Sequence, residues 1–320
     1  MITTLPAHVP LVGQTRGDQV ESIHYGSAVL LNSNGEIEYS VGDTTSAFYP
    51  RSALKPLFTV GMIRAGLRLN SAQITLASAS HSGSIEHQKV VLSTLHDARL
   101  AESDLGNTPD LPYGITEKQK HLSLGGQPTR LAQNCSGKHA ALLALCALKG
   151  WDTANYLAPE HPVSALLRET IEELCGCEVA STSIDRCGTP VYALPLTALA
   201  QGYARLAQAL PGSAEYQVRR AISTHPELLA GHDRDVTALM RAIPGSVAKD
   251  GYEGIQAVAL PDGRALAVKI ADGSDRARMP ITAALLTQAL GDENLALNEL
   301  TNVTISAGPA GELVGKLYAF

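Results

Sequence analysis

The 320-residue sequence has no run of lysine and arginine, and its 25 basic side chains face 31 acidic ones, a formal charge of −6 at pH 7. Such a chain is poorly suited to nucleic acid or to an anionic membrane surface and points instead to small-molecule chemistry. A long apolar stretch is also missing. The longest, Ala140 to Leu148, falls far short of the roughly 20 residues that cross a bilayer and reads as a buried helix. Met1 to Gln19 has no basic stretch leading into an apolar one, so no secretory signal and a cytoplasmic location are expected. Cysteine is sparse and odd in number: Cys135, Cys146, Cys175, Cys177 and Cys187. Free thiols are the expectation in a reducing compartment, with metal binding as the exception. There is no internal repeat and no low-complexity segment. A chain of this length can bury enough core to fold without disulfides or metal.

What is present runs in the order strands, many helices, strands. His24 to Leu31 and Glu36 to Val41 are β-like runs around Asn32-Ser33-Asn34-Gly35, whose Asn-Gly step is a hairpin signal. Ser52 to Gly66 spaces its apolar residues as a helix does, with Pro56 near the start and Gly66 where a C-cap glycine belongs. Gln88 to Ala98, Lys138 to Lys149, Pro162 to Leu174 and Leu196 to Leu210 carry the same spacing, and Arg219 to Ile243 reads as two more helices. Ile255 to Leu260 and Ala265 to Ile270 flank a Pro261-Asp262-Gly263 turn, then come a helix from Met279 to Leu290 and strands at Val303 to Ile305 and Leu313 to Tyr318. This order predicts an α+β fold in one domain, 1–320. An antiparallel sheet is built from both chain ends (about 20–66 and 250–320), and the helices between (about 70–245) form a lobe.

Several segments can carry chemistry. Ser52-Ala53-Leu54-Lys55 places an amine three residues after a hydroxyl, on one face if the segment is helical, where lysine could serve as base to a serine nucleophile. The alternative is a helix-start Ser beside an exposed Lys. Ser78 to Ser84 is a hydroxyl-rich turn that could relay a proton or could cap a helix. Asn134-Cys135-Ser136-Gly137-Lys138-His139 opens the most apolar helix, where free N–H groups suit a carboxylate or an oxyanion. Cys135 is a thiolate ligand or an inert thiol, and Cys187, after Asp185, could meet it at a zinc ion, although the spacing matches no standard zinc motif. Lys269 sits in an apolar strand and either faces solvent or is buried.

Taken together, Arg51-Ser52-Ala53-Leu54-Lys55-Pro56, Ala79-Ser80-His81-Ser82, Asn134 to His139, Asp185-x-Cys187 and Val268-Lys269-Ile270-x-Asp272-Gly273 resemble, in that order, the asparaginase II (rhizobial-type L-asparaginase) family. The resemblance covers nearly the whole chain. It implies a fold like that of serine β-lactamases and serine-dependent glutaminases, hydrolysis of L-asparagine to L-aspartate and ammonia, and a homodimer. It also implies two Ser-Lys tandems, Ser52–Lys55 and Ser80 with Lys269, with Ser52 as nucleophile. Zinc would be held by Cys135, Lys138 and Cys187, and Arg51, Asp185, Gly137 and His139 would bind substrate. Gly83-Ser84 and Arg186-Cys187-Gly188 depart from the family pattern. A glutaminase or penicillin-recognising enzyme on the same fold, and a non-catalytic zinc- or ligand-binding protein, are the rival readings.

Overall fold

The computed structural model describes residues 5–291 and 294–320. Its strands are β1 (Val9–Arg16), β2 (Gln19–Leu31), β3 (Ile37–Val41), β4 (Ala47–Phe48), β5 (Ser181–Ile184), β6 (Pro190–Pro195), β7 (Val247–Gly251), β8 (Ile255–Ala259), β9 (Ala265–Ile270), β10 (Val303–Ala307) and β11 (Glu312–Ala319). Eight of them form one antiparallel sheet in the order β10-β11-β1-β2-β9-β8-β7, with β3 beside β2. The expected α+β architecture is therefore present, with both ends of the chain in one sheet.

The long β2 organises this sheet. Its first half pairs with β1, its last four residues pair with β3, and its other edge pairs with β9 from Gly26 to Leu31. The Asn32–Gly35 hairpin forms as its Asn-Gly step predicts, with Gly35 at φ 82°, and Asn32 Oδ1 accepts from the N–H groups of Asn34 and Glu36. Every residue of β7 and β8 is buried, so both faces of that end of the sheet are covered. Helices Leu196–Ala207 and Asp275–Leu290 are the ones packed on β8 and β9. No helix among the described residues is long and apolar enough to cross a membrane.

The helical middle holds Ser71–Ala77, Ile85–Asp97, Ile115–Ser123, Ser136–Lys149 and Pro162–Cys175, together with strands that the sequence did not reveal. There β4, β6 and β5 make a small second sheet. Ser136–Lys149 is buried over its first eleven residues, as its apolar run predicts. It approaches Ser71–Ala77 so closely that a Cβ on Gly137 would collide with the Leu76 carbonyl. Two further strands were unforeseen, β1 and β7. The second of these matters most, because it is the edge of the main sheet and lies against the turn that carries Ser52.

Candidate active site

Arg51–Leu54 forms a 3₁₀ turn that leads directly into helix Lys55–Arg64, so the predicted helix begins with a tighter turn. Pro56 falls in the first turn of the α-helix, where its missing N–H costs nothing. Arg51 adopts φ 53°, a left-handed conformation unusual for a side chain with a Cβ, immediately before Ser52. Ser52 itself is half-buried. The end of β7 packs on this turn, and a Cβ on Gly251 would run into the Pro50 carbonyl oxygen, which explains a glycine there.

Three lysines lie almost wholly inside the protein: Lys55 is 1% exposed, Lys138 2% and Lys249 0%. Lysine is rarely buried unless partnered, so each must be accounted for. The Lys55 amine donates to the Ala79 carbonyl at 2.7 Å, to Ser80 Oγ at 3.0 Å and to Cys135 Sγ at 3.1 Å. Lys138 donates to Thr189 Oγ1 at 2.5 Å and Cys187 Sγ at 3.2 Å. Lys249 donates to the carbonyl and the carboxylate of Asp250. Burial pulls Lys249 down to about 8; the Asp250 carboxylate opposes this, and the Lys55 charge adds to it. Asp250 is in turn held well below the usual carboxylate range by Lys249, Arg234 and Arg278, against the penalty of burial.

Ser80 belongs to a loop whose shape is fixed from behind. His81 is fully buried and held well below its ordinary value, chiefly by burial and then by His87 and Lys55. Its Nδ1 accepts the Gly83 N–H, so its Nε2 carries the proton and donates to Ser136 Oγ at 2.9 Å. Ser80 N–H donates to the Leu229 carbonyl and Ser82 N–H to Ala230. The hydroxyl-rich turn thus does two jobs, since Ser84 also caps helix Ile85–Asp97.

The structure pairs Ser80 with Lys55 and not with Lys269 as the sequence led one to expect. Lys55 is bonded to Ser80, and its amine makes no hydrogen bond to Ser52. Lys269 is not brought to Ser80. It lies on β9, in register with Ser27 and Ile255, and its amine donates to the carbonyls of Glu253 and Ile270. The physical reason is topological: β9 stands two strands in from the edge, and β7 is the strand that meets the Ser52 turn. The amine at that position is Lys249, which the sequence reading missed.

The remaining predicted residues are also placed. Arg51 and Asp185 are bonded to each other, with distances of 2.5 and 3.0 Å to one carboxylate oxygen, and Arg51 lies over the Tyr252 ring at 5.5 Å. Gly137 is buried against Leu76. His139 is buried, with Nδ1 on the Tyr156 hydroxyl at 2.6 Å and Nε2 without a partner.

Cys135, Lys138 and Cys187 do come together. The neighbouring thiol is the chief influence on each: Cys187 is held well below the usual thiol range and Cys135 well above it, with the Lys138 charge beside them favouring the thiolate. Among the described residues no group of three His, Cys, Asp or Glu side chains is arranged to hold a metal ion. A metal here would therefore depend on the Lys138 amine as third donor. Two soft thiolates, a nitrogen and a water make a set of the kind zinc accepts, so the residues fit it.

A cavity of about 760 Å³ opens at Ser82, Tyr113, Arg234 and Arg278, with the carboxylates of Glu117, Asp233, Asp235 and Asp275 also in its lining. It is large enough for an amino acid.

Comparison with solved structures gives a β-lactamase from Mycobacterium bovis at 16% identity, covering 82% of this chain and 94% of that one with a TM-score of 0.45. The hydrolase EstCE1 gives 13%, 81%, 93% and 0.45, respectively. Mglu in its native form gives 14% identity and a TM-score of 0.46 over 83% of this chain, which spans only 64% of that longer one. Such values say nothing of the chemistry of this chain. No curated protein matches the sequence. The profile of the L-asparaginase II family, however, matches residues 12–318, almost the entire length. With the Ser52 turn, the Ser80 loop and the Cys135 helix all inside the matched region, this chain belongs to the L-asparaginase II family of amidohydrolases.

Proposed function

We propose that the protein hydrolyses L-asparagine to L-aspartate and ammonia through an acyl-enzyme on Ser52. The observation that carries this reading is the convergence of two buried amines, Lys55 and Lys249, on the turn that presents Ser52. A serine hydroxyl needs a base held against it, and an amine can be that base only when neutral. Two amines buried side by side resist carrying two charges. Once the pair has lost one proton, the one that remains is held on Lys249 by Asp250, and the neutral Lys55 amine, with Ser80 as its hydrogen-bonded relay, takes the Ser52 proton. Ser52 Oγ then attacks the side-chain amide carbon. Lys55 returns that proton to the amide nitrogen, which leaves as ammonia as the C–N bond breaks. A water that gives a proton to Lys55 then attacks the ester, and the proton passes back to Ser52 Oγ as aspartate leaves.

The developing oxyanion would be met by N–H groups of the first turn at Ser52, the kind of electrostatic contribution that is usually the largest in acyl transfer. The strained Arg51 backbone supports this assignment, since such conformations persist where geometry has a function. Cys135, Lys138 and Cys187 would hold zinc, which when bound supplies positive charge close to Lys55 through Cys135.

Glutaminase and penicillin-recognising activity are the competing readings of the same pocket. Initial rates on L-asparagine, L-glutamine and a chromogenic β-lactam test the proposal. Asparagine should exceed the others by at least roughly tenfold in kcat/KM, and a preference for either rival would reject it.

A further inference from the structure

We infer that Arg234 is the anchor for the α-carboxylate of the substrate, an inference that rests on the amino-acid amide reading above. Arg234 stands just before helix Asp235–Ala242 and reaches back toward the site. One Nη donates to Asp250 at 2.8 Å and the other approaches the Ser80 carbonyl at 3.5 Å. Its guanidinium lies over the Tyr113 ring at 4.7 Å. The side chain is therefore held flat from three sides, while it also lines the 760 Å³ cavity.

Partners and position select this residue over its neighbours: Arg276, on the same cavity wall, is bonded to Gln14, His24 and Ser22. Arg278 has two carboxylates of its own, Asp235 and Asp275. Arg51 has Asp185. Arg234 shares the single carboxylate of Asp250 with Lys249. Arginine has five N–H donors in a planar fork, so two contacts leave donors for a carboxylate. In asparagine the α-carboxylate lies three bonds, about 4 Å, from the amide carbon that is attacked. Arg234 touches the backbone of the very residue, Ser80, whose hydroxyl binds Lys55.

The test compares L-asparagine with β-alaninamide, the same side-chain amide lacking the α-carboxylate, on wild-type protein, Arg234→Met and Arg234→Lys. Arg234→Met should lower kcat/KM for asparagine on the order of 10- to 100-fold, mainly through KM, and lower that for β-alaninamide by a factor about tenfold smaller. Arg234→Lys, which keeps a charge for Asp250, should fall between and remains informative if the Met variant misfolds. Equal losses on both amides, or no loss on asparagine, would overturn the assignment and leave Arg234 as support for Asp250. Asparagine left unhydrolysed by wild type is a failure of the function itself. In that event L-aspartate binding by calorimetry decides for Arg234: selective weakening in the variants supports the anchor, and unchanged or absent binding rejects it.

Discussion

The Lys55 amine donates to the Ser80 hydroxyl at 3.0 Å, which ties residues 25 positions apart into one buried hydrogen-bonded unit. Ser80 is thereby the hydroxyl hydrogen-bonded to the proposed base. Ser80→Ala should lower kcat for asparagine about 10²- to 10⁴-fold, the range for a positioned proton-transfer group, with KM changed only a few-fold. Steady-state kinetics check this. A loss under tenfold would make Ser80 a structural partner of Lys55.

The two candidate second lysines are separated by substitution. Lys249→Met should cost at least about 10² in kcat/KM, because it removes the amine beside the Ser52 turn. Lys269→Met should leave activity within about threefold of wild type, since the Lys269 amine is spent on the Glu253 and Ile270 carbonyls. The reverse ranking would return the role to Lys269.

Lys249 also predicts a pH profile. Its value of about 8 lies below the ordinary lysine value, so its neutral fraction grows as pH rises through that point. The kcat/KM for asparagine should climb on an ascending limb near pH 8. Asp250 is the group that holds the proton on Lys249. Asp250→Asn should therefore shift the limb to lower pH, and a shift upward, or none, contradicts the role given to Lys249.

The thiol pair predicts metal dependence. Protein dialysed against zinc should retain about one ion per chain by elemental analysis, and Cys187→Ser or Lys138→Met should weaken retention at least about tenfold. Zinc kept equally by the Cys187→Ser protein would place it elsewhere.

Much of this arrangement was legible before the fold was known. Asn32–Gly35 declared a hairpin because only a few residues adopt its turn, and Ala140 to Leu148 declared burial by composition alone. The Ser52-x-x-Lys55 spacing correctly marked a helix start, but not the direction of the amine. That direction depends on Ser80 and Cys135, which arrive from distant segments. Lys249 was hidden for a related reason. Val247-Ala248-Lys249-Asp250-Gly251 carries two adjacent charges that do not announce a buried strand, and Asp250 offsets the cost of that burial by pairing with Lys249 and with Arg234. Lys269, flanked by Val268 and Ile270, looked like the better buried lysine; strand order, which a single sequence does not display, decides between them.

The nucleophile is the central claim, and Ser52→Ala measured by ammonia release from L-asparagine tests it most directly. The account predicts a loss of at least about 10⁴-fold, with the protein still folded and with no acyl adduct detectable by mass spectrometry. Activity above roughly a tenth of wild type, or an aspartyl adduct found on Ser80 instead, would contradict it.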